Sequence, residues 1–424
     1  MLRLVYSLLW LLILPLALLR LVWRSRKEHG YIEHVGERLG RYGGLSAQGP
    51  WLWVHAVSVG ETRAAQPLID AILAEYPQHR LLLTHMTPTG RQTGAQLYGD
   101  NPRVQQCYLP YDMPPLVRRF LSYFRPDAGL IMETEVWPNL VHVTRREGVP
   151  LFLVNARLSP RSYRRTARFG SAAASLYNDF TMVLAQTAGD AERYRALGVK
   201  SVQITGNLKF DMQLPEAGLA RGQQLRRAFG GRQVLAAAST REGEEPLILE
   251  AFARWPGARR PALLLVPRHP QRFDEVAAMA ARAGFSVQRR SALDIDRGDA
   301  RIDADIVLGD SMGEMAMYYA ASDIAYIGGS LIPLGGQNLI EACAAGTPVL
   351  MGPHTFNFAQ ATEDAIAAGA CERVADADAL MSAAAAVLDD LPRLTQMRAN
   401  ALTFAGLHRG ATARTLSALA PVLR

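Results

Sequence analysis

The chain has 424 residues, of which 49% are hydrophobic and 20% charged. That balance excludes a disordered chain and supplies two or three domain cores. A mean hydropathy of 0.00 is too polar for a protein built of many membrane spans. The net charge of +7 is unevenly placed: residues 1–210 carry 25 basic and 15 acidic side chains, a net of +10, and the rest a net of −3. The first half therefore faces something anionic, such as phospholipid, lipid phosphate or nucleic acid. The last is disfavoured, because basic and aromatic residues do not interleave and no nucleic-acid motif occurs. Three widely spaced cysteines, Cys107, Cys343 and Cys371, exclude a disulfide scaffold and a zinc ribbon and fit a reducing compartment.

In chain order, the first element is an apolar helix. Sixteen residues from Leu4 to Leu19 carry no charge, Arg20 interrupts, and Arg24, Arg26 and Lys27 follow. The stretch is marginal for a full span, which wants about 20 apolar residues. No small-residue cleavage site follows it, and flanking positive charge stays cytoplasmic. This reads as an uncleaved membrane anchor, spanning or interfacial, with the body on the cytoplasmic face, in preference to an amphipathic docking helix of a soluble protein, because the apolar residues surround the helix instead of forming a stripe.

Beyond it, short apolar runs alternate with helical stretches. Strands are expected at Trp51–Val57, Arg80–Thr84, Val104–Leu109, Ala128–Met132, Pro150–Asn155, Thr181–Ala185 and Ser201–Thr205. The pattern restarts at Gln233–Ala238, Ala262–Pro267, Phe285–Arg289, Asp305–Leu308, Ile324–Ile327 and Pro348–Met351. Runs of four to eight apolar residues joined by helices mark parallel sheets, so two doubly wound α/β domains are expected, joined near residues 210–225. Ligands of such sheets bind beyond the carboxyl ends of the strands.

Several chemistries are disfavoured. No G-x-G-x-x-G follows the first strand of either half, which lowers the odds of a dinucleotide dehydrogenase, and no P-loop motif is present. The nine histidines form no HExxH or dense cluster with acids, so no catalytic metal is indicated.

Four constellations remain. In His55-Ala56-Val57-Ser58-Val59-Gly60-Glu61, a strand runs into a small-residue loop and a carboxylate opens the next helix. Glu61 can serve as a general base or simply complement the helix dipole. In Met132-Glu133-Thr134-Glu135-Val136-Trp137-Pro138-Asn139, two acids follow a buried strand. They either reach a cleft, Glu133 being the better placed, or cap a helix and pair with arginines such as Arg157. Lys209, at the end of the half's last strand, can stabilise developing negative charge or lie in solvent.

The fourth group lies in the second half. Pro267, Arg268 and His269 end a strand with donors suited to phosphate. Ser239 and Glu242 have capping-box spacing. Met312, Gly313 and Glu314 open another helix. A glycine-rich stretch, Gly328 to Gly336, precedes Asn338, Leu339, Ile340 and Glu341. There backbone N–H groups favour an anion, and Glu341 either takes a ribose or acts as a helix-start residue with Asn338.

Taken together, the segments HAVSVGE, METEVWPN, NARLS, GNLKFD, STREGEE, VPRHP, GDSMGEM, GGSLIPLGGQNLIEA and MGPHTFNF resemble the 3-deoxy-D-manno-octulosonic acid (Kdo) transferases of lipopolysaccharide inner-core synthesis. The resemblance runs from the apolar helix to Phe358 and weakens after about residue 370. It implies an α/β GT-B glycosyltransferase fold, two Rossmann-like domains facing a cleft, with an N-terminal membrane anchor helix. The expected divisions are an anchor at 1–27, an acceptor-binding domain at 28–212, a CMP-Kdo-binding domain at 225–400, and a C-terminal helix at 401–424 packing back on the first domain.

The activity implied is inverting transfer of one or two Kdo residues from CMP-Kdo to a lipid A precursor (lipid IVA) at the inner membrane, without metal or other cofactor. The resemblance makes Glu61 the general base and has Glu133 and Lys209 stabilise the transition state. It places Pro267, Arg268, His269, Met312, Gly313, Glu314, Asn338, Leu339, Ile340 and Glu341 on the donor. Arg161, Arg164, Arg165 and Arg168 are candidates for acceptor phosphates. The rival readings are a GT-B enzyme for another nucleotide sugar, such as a UDP-sugar, and a membrane-tethered nucleotide-sugar sensor.

Overall fold

The structure, a computed structural model, describes residues 2–26, 29–298 and 300–423. Lys27, counted above among the basic residues after the apolar run, lies outside the described residues, as do Met1, Glu28, Asp299 and Arg424. The chain divides into two compact units, Met1–Met212 with Arg409–Arg424, and Gln213–His408.

The first unit holds a seven-stranded parallel sheet: β1 (Trp51–His55), β2 (Arg80–His85), β3 (Val104–Tyr108), β4 (Ala128–Met132), β5 (Leu151–Ala156), β6 (Met182–Ala185) and β7 (Val202–Ile204). Its order is β3-β2-β1-β4-β5-β6-β7, and register pairs Trp53 with Leu82 and Gly129. Strand β1 shows why the sequence folds this way. Every residue of Trp51–His55 is buried. Because successive side chains point to opposite faces, Trp51 and Trp53 join one core and Leu52 and Val54 the other. A continuous apolar run is therefore needed rather than an alternating one. Gly129 makes room for the indole, since a Cβ there would stand 2.6 Å from the Trp53 ring.

The second unit repeats the plan with β8 (Val234–Thr240), β9 (Ala262–Pro267), β10 (Val287–Arg289), β11 (Ile306–Leu308), β12 (Ile324–Ile327), β13 (Val349–Met351) and β14 (Cys371–Arg373). The order is β10-β11-β9-β8-β12-β13-β14, all parallel. Strand β14 is an element the apolar pattern does not announce. It has three residues, two of them charged, and owes its conformation to pairing with β13.

Three non-glycine residues with positive φ mark the carboxyl ends of strands: Glu133 at 55°, Asn155 at 54° and Ser239 at 58°. Asn155 and Ser239 lie where the pairing register shifts. Such bulges re-aim side chains at a sheet's rim and cost strain. The returning segment is shorter than the expected 401–424: residues 401–407 end the helix Leu391–Leu407 of the second unit, and only Arg409–Arg424 belong to the first. The helix Ala411–Leu423 places Ala411, Leu416, Leu419 and Leu423 in the same core as Leu52 and Val54.

Candidate functional site

In the first unit, three sequence-expected residues come together. The helix after β1 begins at Val59, so Glu61 sits in its first turn. The Ser58 hydroxyl caps that turn by accepting from the Glu61 amide, while the Glu61 carboxylate accepts from the Val57 amide at 2.7 Å. A carboxylate at a helix start is ordinarily held ionised by the dipole and by such a bond. Here the opposing effect wins. Burial pushes the Glu61 carboxyl up to about 8, helped by the charges of Glu135 and Glu133 and opposed by the Val57 bond and by Lys209.

Glu133 and Lys209 form an ion pair at 2.9 Å, with only 14% and 19% of their side chains exposed. The loop that carries Glu133 is fixed from both sides. The Glu133 amide donates to the Val154 carbonyl, and the Asn155 amide group reaches Glu133 Oε1 at 3.5 Å. Asn155 Oδ1 in turn accepts from the Leu208 amide at 3.0 Å, beside Lys209. One buried asparagine thus ties the acid's loop to the lysine's loop, a role its place in a buried strand does not reveal. Glu135 takes a different partner: it accepts from the Trp137 indole at 2.9 Å.

His55, which closes β1, is fully buried. Burial and the neighbouring His85 push it down to about 3, so the imidazole is neutral at physiological pH. Its Nδ1 meets the Thr84 hydroxyl at 2.9 Å, and that hydroxyl also accepts from the Trp53 indole.

In the second unit, Pro267 is buried and the backbone turns outward at Arg268 and His269, which are exposed. Partial desolvation, and then the charges of Arg241, Arg268 and Arg272, lower the His269 pKa. Arg272 is committed to Glu245 and Glu275. Among the described residues no carboxylate contact to Arg241 or Arg268 is found, so both remain available to an anion. Arg268 and Glu341 both lie within electrostatic reach of the buried Tyr319 hydroxyl.

Asn338 donates to Glu341 at 2.9 Å and accepts from the Ile340 amide, so this stretch does have the helix-start chemistry weighed above. Leu339 and Ile340 are buried, leaving them backbone and packing roles. Glu314 accepts from Arg221 at 2.7 Å and Arg290 at 3.1 Å. Gly313 turns at a φ of 81°, and Met312 is 60% exposed.

One expectation is corrected. Ser239 and Glu242 do not form a capping box: Ser239 is left-handed, and the following helix starts at Glu244 behind Gly243. The working acid is Glu244, fully buried. It accepts from the amides of Arg241 (2.9 Å), Gly329 (2.7 Å) and Leu331 (3.1 Å) and from the Tyr326 hydroxyl. It moors the glycine-rich turn, and two successive acids at a helix start were its only sequence signal. Among the described residues no three His, Cys, Asp or Glu side chains gather as a metal site would require.

Two doubly wound parallel units define a GT-B-type glycosyltransferase fold. Solved structures of like architecture include Anabaena Alr3699/HepE in complex with UDP (TM-score 0.58, 15% identity, covering 88% of this chain and 99% of that one). Another is a glycosyltransferase from Rickettsia africae (TM-score 0.59, 12% identity, 88% and 99% covered). Residues 33–212 match the family model described as 3-Deoxy-D-manno-octulosonic-acid transferase (kdotransferase). The 3-deoxy-D-manno-octulosonic acid transferase of Bordetella pertussis is 47% identical over 96% of both chains, and that of Haemophilus influenzae is 35% identical over 99% of both. The chain belongs to the Kdo transferase family.

Proposed function

We propose that this protein moves Kdo from CMP-Kdo to the primary hydroxyl of a lipid A precursor (lipid IVA) by a single inverting displacement without a metal. In this reading Glu61 is the base. The observation that carries it is the Glu61 carboxyl, pushed by burial to about 8 and grouped with an ion-paired Glu133 and Lys209. A base tuned close to working pH best combines the ionised fraction with proton-accepting strength.

The bond-making step is balanced. The acceptor oxygen attacks the anomeric carbon and its proton passes to Glu61, while the bond to the CMP phosphate breaks. Positive character on the sugar ring is met by Glu133. Lys209 offsets the sugar carboxylate or the departing phosphate. The donor's phosphate is taken by Arg268 with His269, and Glu341 takes the ribose hydroxyls. Pro267, Met312 to Glu314 and Asn338 to Ile340 shape that pocket. One displacement with one base inverts configuration; retention would need a positioned nucleophile. Arg161, Arg164, Arg165 and Arg168, exposed on and just after the helix Pro160–Ala167, suit the acceptor's phosphates, at a cytoplasmic membrane face reached through the N-terminal helix. How many Kdo units are added is read from the product mass.

The test is Glu61→Gln. With purified protein, CMP-Kdo and lipid IVA, transfer should fall at least about a thousandfold, within the range of general-base removal, while CMP binding by calorimetry stays within about twofold. Kdo transfer near the parent rate would remove Glu61 as the base. Binding of UDP in preference to CMP would move the protein to the rival donor class.

A further inference from the structure

The N-terminal helix, Leu2–Ser25, is by length and composition able to cross a membrane. Its side chains say how it is used. Along it, Tyr6, Ser7, Trp10, Leu14, Leu18 and Leu21 are half-buried or buried, a spacing of three and four that forms one stripe over the helix. The stripe meets the first unit at both polar and apolar points. The Ser7 hydroxyl donates to Asn139 Oδ1 at 2.9 Å, and the Tyr6 hydroxyl lies against the Asp112 carboxylate. The Trp10 ring stands 5.6 Å from that of Tyr111. Leu14, Leu18 and Leu21 pack with Tyr111, Met113 and Leu116. Near the other end, the Arg24 guanidinium covers the Tyr31 ring at 4.7 Å.

Contacts therefore run from the first turn to the last. A helix that crosses a bilayer leaves its domain for about 30 Å of hydrocarbon, and this one does not leave. Crossing would require stripping Asn139 and Asp112 of these partners or drawing them into lipid, where unpaired polar groups are costly.

The opposite face carries Leu4, Leu8, Leu12, Leu16, Leu19 and Trp23, each at least 61% exposed. The helix contains no acid, and Arg3, Arg20 and Arg24 supply positive charge. An apolar face rimmed by cations suits one leaflet of an anionic bilayer. We infer that this helix is a docked, in-plane element, held along the first unit by the Tyr6–Ser7 contacts to Asp112 and Asn139, with its outer face sunk into a single leaflet of anionic lipid rather than passing through the membrane.

The dock also reaches the candidate site. Asp112 accepts from the amides of Asn139 and Leu140, the first turn of the helix that follows the Glu133–Trp137 loop.

The test uses the full chain carrying Ser7→Cys and Asn139→Cys, the native cysteines being buried, on vesicles of phosphatidylethanolamine and phosphatidylglycerol. Oxidation should join the two thiols on the vesicles, and the cross-linked protein should still float with them. No cross-link on vesicles, despite one in detergent, would overturn the inference, and so would cross-linked protein that no longer floats. A second variant, Leu8→Asp with Leu12→Asp, leaves the dock untouched. It should cross-link when built on the cysteine pair, yet lose flotation; continued flotation would show that another surface meets the lipid. Neither readout involves sugar transfer, so the result is independent of the functional proposal.

Discussion

Glu61 is a carboxylate that two local devices favour as an anion and one general effect disfavours. The first-turn position and the Val57 amide both stabilise the charge, yet burial outweighs them and leaves the carboxyl at about 8. Because Glu133 and Glu135 push in the same direction as burial and Lys209 against it, the group's titration reads out its neighbours. Removing the positive charge by Lys209→Met should move the acid limb of the kcat profile to higher pH. Glu133→Gln should move it to lower pH. Both shifts are checked on top of a loss in kcat, and unchanged profiles in both would mean that another group sets the limb. The same shift has a stability consequence. In the folded state Glu61 holds its proton up to about 8, and in the unfolded chain only to about 4.5. The folded state therefore binds more protons between these values, and stability falls as pH rises through that window. Glu61→Gln should match the parent in unfolding free energy near pH 4 and exceed it at pH 9, by on the order of a few kcal/mol, one pKa unit being about 1.4 kcal/mol. Urea melts at the two pH values decide this.

At the scale of elements, the sites are made by turns that depart from the regular strand. Glu133, Asn155 and Ser239 are left-handed, and the strain is held in place by buried hydrogen bonds: Asn155 to the Glu133 and Leu208 segments, Glu244 to the Arg241, Gly329 and Leu331 amides. Glu244→Ala would leave the buried Gly329 amide and the half-buried Arg241 amide without an acceptor, the Leu331 amide keeping the Tyr326 hydroxyl, and should cost about 2–3 kcal/mol. It should also weaken CMP binding at least tenfold, since Arg241 and the glycine-rich turn lose their mooring. The conservative Glu244→Gln should recover part of both, and calorimetry with CMP beside thermal melts separates the two effects. This scale also shows what was legible in the sequence. Strands such as Trp51–His55 and Ala128–Met132 are continuous apolar runs, because both their faces are covered, and they announce themselves. Glu61 and Glu133 were visible as acids placed just after such runs, whereas Lys209 sits not at the end of the last strand but beyond it, on the 3-10 turn Leu208–Asp211, after a β7 whose Gln203 and Ile204 are exposed. Asn155 and Glu244 were not, since their work is done by contacts to loops distant in sequence. The Ser239–Glu242 spacing misled for the same reason: a bulge at Ser239 moves the helix start two residues beyond Glu242. Strand β14, Cys371–Arg373, has no apolar run to read.

At the scale of the whole molecule, the chain's end is part of its first unit. After the second unit closes at His408, residues 409–424 return to the fold where the chain began. The return is fastened where Lys209 is presented. Asp211 accepts from the amides of Gly410 and Thr412, and Arg414 donates to the Thr205 carbonyl at 2.8 Å. Leu416, Leu419 and Leu423 complete the core beneath β1. Residues 205–211 thus run between Asn155 on one side and the C-terminal helix on the other. The last sixteen residues are therefore needed for the lysine's position as well as for the core. Ending the chain at His408 exposes the core that three buried leucines covered, each worth roughly 1.5–3 kcal/mol, and should drive the protein into aggregates or proteolysis. Asp211→Asn is the finer probe. It keeps the helix and its apolar contacts, but its single side-chain oxygen can accept from only one of the two amides and its NH2 is turned toward the other, at about 1–3 kcal/mol. It should lower kcat severalfold through a looser Lys209 while leaving the donor's KM and CMP affinity unchanged, because the proposed mechanism assigns those to the second unit. A matching loss of CMP affinity would show that the C-terminal return serves both units rather than the first alone.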